Sequence, residues 1–347
     1  MRSSTSHSDR SVVSGGTARS RALQGAWGRT WLLALALGIA VVGAAEAHWR
    51  AMRLRPSVLD TQGLWCVHRD TATADSQVIA VLGGSRAVEG FAVPSFKVEY
   101  DNYKISNMAL AGLGPMACLR DLAYDPKFNG IAMVDADTDW LFSKSLSDQQ
   151  PIVDYYRNVW CNQIKTEQIL RTCLQSTFSV LRDDVGLRNI LRGAASRAGY
   201  QTVGADRWRM TDFSRTDVKE RRRQRVAKLI RSMLPPQTSP SSLASWHRDV
   251  ADIDRWVGMI QARGGKVAFV PFVRTDETRA TDERTYPRKL YWDYFAAHTS
   301  AVCIHYLDVP VLRSFNCPDT SHLDYRDAPR YTLALAAELE KRGVIRR

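Results

Sequence analysis

The sequence predicts an α/β fold: a doubly wound, three-layer sandwich around a central, mainly parallel sheet, preceded by one N-terminal hydrophobic helix. Three observations carry this. Apolar runs ending in glycines or acids recur as βα-like steps between residues 76 and 140, sheet character returns at 266–273 and 301–312, and residues 31–45 carry no charge directly after an arginine-rich arm.

The arm comes first. Residues 1–29 hold Arg2, Arg10, Arg19, Arg21 and Arg29 against one acid, Asp9, in a Ser- and Gly-rich background that cannot build a core, so disorder is expected. WLLALALGIAVVGAA (31–45) follows with the polarity of a secretory or anchoring segment. Continued through Glu46 and His48, with Trp31 and Trp49 at the interfaces, it approaches the roughly 20 residues of a membrane span. Residues 30–50 therefore read as a signal anchor or transmembrane helix, with inner-membrane lipid as a partner. Ala45-Glu46-Ala47 also fits a cleavage site, and cutting after Ala47 would give a secreted chain. Either way the positive-inside rule places the remainder outside the cytoplasm: a bacterial-type, single-pass inner-membrane protein with its domain in the periplasm or beyond.

After a juxtamembrane stretch (51–75), one domain is expected over 76–347. SQVIAVLGGS (76–85) is a continuous apolar run closed by two glycines, as a buried parallel strand entering a tight turn requires. KISNMAL (104–110) makes a second strand, and AGLGP (111–115) opens a helix to about residue 124. GIAMVDADTDW (130–140) is a third strand ending in acids. Residues 148–245 form a helical insertion containing VKERRRQRVAKLIRSML (218–234), where Val226, Leu229, Ile230 and Met233 recur at helical spacing until Pro235-Pro236. KVAFVPFV (266–273) and AVCIHYLDVPVL (301–312) return to strand, and 328–341 closes as a helix.

With 347 residues, 45% hydrophobic and 24% charged, the chain can bury one full core. The net charge of +12 and pI near 9.6 favour an anionic partner. The basic run 219–225 suits anionic glycan or lipid, a solvated helix face being the plainer reading. No zinc-finger spacing, aromatic RNA-binding signature or basic-zipper pattern supports nucleic acid. Cys66, Cys118, Cys161, Cys173, Cys303 and Cys317 include no C-x-x-C pair, so no zinc or redox motif emerges, and no cofactor or metal is expected. Cys161 with Cys173 and Cys303 with Cys317 are candidate local bridges in an oxidising compartment; burial as small apolar side chains is the alternative.

Serine needs a base and oxyanion donors to act as a nucleophile. Ser85 stands after Gly83-Gly84 at the carboxyl end of a buried strand, where open α/β sheets bind ligands; the alternative is a helix cap. Asp319 and His322, three apart in NCPDTSHL, can share one side of a turn, so that the carboxylate orients an imidazole aimed at Ser85. Arg86 could hold a carboxylate of the substrate or form a salt bridge into the fold. Tyr286, Tyr291 and Trp292 could make a sugar platform or core.

In these residues the chain resembles the SGNH/GDSL hydrolase superfamily, particularly divergent membrane-anchored members related to the acyltransferase-like proteins of alginate and cell-wall polysaccharide O-acetylation. The matching blocks are VLGGSRAVEGF around Ser85, the stretch from Asn107 to Gly112, and PDTSHLDYRDAPRYT before the last helix. The resemblance implies an SGNH hydrolase-like domain, Ser85 as nucleophile, Asp319 and His322 as its base pair, and Gly112 as an oxyanion donor. It also implies an acylated glycan or other ester as substrate, with a membrane-bound acyltransferase as a possible partner. The family's third motif, G-x-N-D, is absent: Val134-Asp135-Ala136-Asp137-Thr138-Asp139 stands there, so either another donor such as Thr138 substitutes or the enzyme works with two. An esterase or O-acyltransferase is expected; the alternative is a catalytically silent envelope protein that binds glycan or the acyltransferase.

Overall fold

The structure, a computed structural model, describes residues 16–135, 137–141, 146–186 and 198–347. Residues 1–15 of the expected disordered arm lie outside it, as do parts of the insertion. Two units are distinct, residues 1–53 and 54–347.

In the first unit, helix α1 runs Gly16–Ala51, starting before the boundary expected at residue 30. Its segment Trp27–Ala51 has 25 residues and contains an 18-residue stretch of mean hydropathy 1.8 with none of it buried, long and apolar enough to cross a membrane or to act as a signal anchor. At 1.5 Å per residue it reaches about 37 Å, against roughly 30 Å of hydrocarbon.

The second unit is built on a parallel sheet of β2 (Lys104–Asn107), β1 (Val78–Leu82), β3 (Ile131–Val134), β6 (Lys266–Phe269) and β7 (Val302–Cys303), in that order. A period of two along these strands feeds two cores. Val78, Ala80, Leu82, Ala132, Val134, Val267 and Phe269 face α2 (Gln62–Ala72), α5 (Met116–Tyr124), α9 (Pro240–Gln261) and α11 (Trp292–His298). Ile79, Val81, Ile131, Met133 and Ala268 face α3 (Ser85–Gly90), α4 (Val93–Glu99) and α13 (Ala328–Lys341). This is the expected three-layer α/β sandwich. From β1 the chain turns to β2 on one side, while β3 onward builds the other. The sheet's switch point therefore lies between β1 and β3, where such folds bind ligands.

Several elements depart from expectation. The stretch 51–75 contains α2, whose fully buried Trp65 packs under the sheet and donates to Met108 O at 2.9 Å. Arg69, also fully buried, fastens α2 to α5 through Asp121 and Asp125, each at 2.6 Å. Within the insertion, α6 (Leu146–Asn158), α7 (Asn162–Thr177) and α8 (Val218–Arg231) are joined by an antiparallel hairpin of β4 (Gln201–Val203) and β5 (Arg209–Thr211). The apolar run 301–312 is strand only at Val302–Cys303; it then turns through Tyr306–Asp308 into α12 (Pro310–Arg313), where Pro310 suits a first helical turn and not a ladder. The six cysteines are free thiols. Cys161 precedes α7 and Cys173 lies within it, so twelve helical steps hold them about 18 Å apart, beyond any disulfide. Cys317 instead donates to Val273 O at 3.4 Å.

Candidate active site

β1 delivers its chain end to the switch point, and two glycines let it turn there. Gly83 has φ 149°, and a Cβ on it would lie 2.5 Å from that of Asp135. A Cβ on Gly84 would fall inside the Trp140 indole. Only glycines pass this gap between the end of β3 and Trp140. Gly84 is the cap of α3 and Ser85 its first residue, so the helix-cap alternative for Ser85 does not hold. Ser85, half-buried, places its hydroxyl 2.7 Å from His322 Nε2.

The loop carrying His322 bends sharply. Thr320 adopts φ 74°, a strained conformation for a β-branched residue. Its hydroxyl shares a 2.7 Å bond with Thr278, and its carbonyl accepts from Thr275 N at 3.0 Å. The bend brings Ser321 N and His322 N onto Asp319 Oδ1 at 3.0 and 2.8 Å, leaving Oδ2 for His322 Nδ1 at 2.8 Å. Burial by itself would raise the Asp319 carboxyl. The His322 hydrogen bond and charge, Arg225 and the Ser321 amide outweigh it, holding the acid well below the usual carboxylate range. Nδ1 faces Asp319 Oδ2 at 2.8 Å and, farther off, Arg225 Nη2 at 3.0 Å; the nearer, ionised carboxylate only accepts, and the tautomer that satisfies it carries its proton on Nδ1 and leaves the Nε2 lone pair facing Ser85. That is the tautomer a general base needs.

The structure thus brings Ser85, Asp319 and His322 together. The other sequence-singled residues occupy varied places. Gly112, exposed at φ 82°, sits at the third position of a turn closed by Leu113 N to Leu110 O at 3.1 Å, and Leu110 N bonds Gly83 O at 2.9 Å beside the Ser85 turn. Asn107, which opens the matching stretch, is fully buried: its Oδ1 accepts from Ala109 N at 3.3 Å and its carbonyl from Arg207 at 2.6 Å. Arg86 is buried, ion-paired with Asp137, donating to Ser321 Oγ at 3.2 Å and lying over Trp140. It is thus the salt bridge into the fold. Asp137 also takes Arg274, while Asp135 accepts from Phe272 N at 3.0 Å through Oδ1 and keeps a buried Oδ2 without a hydrogen-bond partner. Thr138 lines a small cavity with Arg274, Asp282, Tyr286 and His305. Tyr286, Tyr291 and Trp292 are core residues and not a platform.

Two contributors escaped the sequence reading. His68 on α2 accepts from Asn107 N at 3.1 Å and braces the end of β2; burial, then Arg207, push its ring down to about 4, keeping it neutral. Arg225, inside the basic run, reaches the Asp319–His322 pair from α8. A charge run gives no sign of which of its members turns inward.

No protein-family model matches the sequence, and no curated protein matches it. Among solved structures the chain is similar to "Crystal Structure of TesA", at 11% identity and a TM-score of 0.34, over 76% of this chain and 99% of that one. A likeness so slight leaves the site's own geometry to carry the functional reading.

Proposed function

We propose that the chain is an SGNH-type serine esterase or O-acyltransferase that acts outside the cytoplasm on acyl esters, acetyl esters of a cell-envelope glycan being the favoured substrate. One observation carries the chemistry: Ser85 Oγ, His322 and Asp319 stand in a continuous hydrogen-bonded line of 2.7 and 2.8 Å at the sheet's switch point. Ser85 Oγ attacks the acyl carbonyl while His322 Nε2 takes its proton. The backbone N–H groups of Ser85 and Gly112 hold the oxyanion, and Asp319 stabilises the imidazolium. His322 then hands the proton to the leaving alkoxide, giving acyl-Ser85 and free alcohol. Water completes hydrolysis, or a glycan hydroxyl takes the acyl group, by the same steps reversed.

The apolar span in α1 and the resemblance to membrane-anchored O-acetylation proteins support the envelope setting. Asp137 is neutralised by Arg86 and Arg274, which offsets the repulsion an oxyanion would meet from that acid where the motif's asparagine is absent. p-Nitrophenyl acetate tests the reaction: the full chain should hydrolyse it, and Ser85→Ala should lose at least about a thousandfold in kcat. Turnover that survives Ser85→Ala would overturn the proposal. Acetylated against unacetylated envelope glycan, offered as donor or acceptor and read by mass, distinguishes hydrolysis from transfer.

A further inference from the structure

We propose that Arg225 is a positioning residue for the Asp319–His322 pair, delivered by α8 to steady the carboxylate oxygen that receives the His322 ring proton. This rests on the reaction proposed above. Helix α8 has no fully buried residue, its apolar Val226 and Leu229 being half-buried. Its strongest inward contacts are ionic. Arg221 lies 4.0 Å over the Tyr200 ring, and Arg222 meets Asp276 at 3.0 Å and Glu277 at 2.8 Å. Arg225, one turn on, places Nη2 3.0 Å from His322 Nδ1 and 3.4 Å from Asp319 Oδ2. Lys219, Arg223, Lys228 and Arg231 face outward and are exposed. The basic run is thus two faces, one of which ends on the catalytic pair.

The consequence follows from what a guanidinium can do. It donates and never accepts, and it stays charged. Beside Asp319 Oδ2 it fixes laterally the same oxygen that receives Nδ1–H. The other groups around the pair are neutral or engaged. Ser85 on α3 is uncharged, and Arg86 is taken by Asp137 and Ser321. The Tyr200 hydroxyl is pushed up to about 12 by burial, and Glu89 accepts from Thr211 at 2.8 Å. Arg225 is one-third exposed, so solvent weakens its effect without abolishing it.

The test measures kcat and KM on p-nitrophenyl acetate, the rate of fluorophosphonate labelling of Ser85, and thermal unfolding for the full chain in detergent, in wild type, Arg225→Gln and Arg225→Lys. A positioning residue acts on proton transfer and not on substrate binding, so Arg225→Gln should lose about tenfold in kcat and in labelling rate with KM within about twofold of wild type. Arg225→Lys restores the cation without the planar fork and should recover part of that loss. A folded Arg225→Gln with wild-type kcat would overturn the proposal, as would a loss carried by KM alone or no recovery in Arg225→Lys. If Arg225→Gln does not fold, Arg225→Lys decides: lowered kcat at unchanged KM supports the role and wild-type kcat refutes it. A wild-type chain that turns over no ester overturns the reaction instead, and the labelling rates still report on Arg225.

Discussion

Replacing Asp319 by Asn removes one charge and one acceptor while leaving the shape. In the native loop Oδ1 accepts from Ser321 N and His322 N, and the Asn carbonyl can keep both bonds, so the bend at Thr320 should survive. The amide NH2 then replaces Oδ2, which receives His322 Nδ1 at 2.8 Å and faces Arg225 at 3.4 Å. A donor facing Nδ1 selects the opposite tautomer, with the proton on Nε2 pointing at Ser85, where no lone pair remains to take the hydroxyl proton. The imidazolium also loses its counter-charge. Loss of the orienting acid in such a triad costs about 10⁴-fold in kcat, or roughly 5 kcal/mol of barrier, while exchange of the charged contacts for amide ones should cost about 1–2 kcal/mol of stability. Kinetics on p-nitrophenyl acetate with thermal unfolding of the same samples reads both. Asp319→Asn that folds normally and retains activity within tenfold of wild type would refute the assignment of Asp319 as orienter.

Three further outcomes follow from the same geometry. Gly84→Ala drives a methyl into Trp140, so thermal unfolding should show a loss of about 2–3 kcal/mol and ester turnover should fall as Ser85 shifts. Arg69→Ala removes the fully buried partner of Asp121 and Asp125 and leaves them the half-exposed Arg157, so denaturant titration should report a loss of about 2–3 kcal/mol. Burial first and then nearby arginines push His68 down to about 4 and His305 to about 3; their unfolded counterparts take up protons near 6.5. Between those values the unfolded chain binds more protons, so stability falls as pH drops from about 6.5 toward 4, by on the order of 2 kcal/mol for each ring. Urea midpoints at pH 7 and 5 check this, and His68→Gln should flatten the slope.

What the sequence made legible was what local pattern determines. SQVIAVLGGS announced a buried strand with a glycine turn because continuous apolarity and paired glycines have few other uses, and the closing helix begins at Ala328 as its periodicity implied. Elements settled by distant partners were not legible. The run AVCIHYLDVPVL looks like strand throughout, but Tyr306, Val309 and Leu312 are buried by a turn and a short helix, with Val311 left exposed. α2 hid in a segment that read as linker because its amphipathic pattern is short and interrupted by charged Arg69 and Asp70, whose partners lie on other elements. The cysteine pairing suggested by spacing overlooked the rigidity of the helix between Cys161 and Cys173. At the site, the D-x-x-H spacing carried its meaning locally. Arg225 lies 94 residues from Asp319, and no local pattern distinguishes it from its outward-facing neighbours.

The central claim is that Ser85 is a nucleophile made reactive by His322. A fluorophosphonate probe applied to the full chain in detergent, followed by peptide mass mapping, tests it most directly. The account predicts one covalent adduct, on Ser85, that disappears in His322→Ala while the thermal unfolding of that variant shows an intact fold. An unlabelled wild-type chain, or an adduct on another residue that persists in Ser85→Ala, would contradict it.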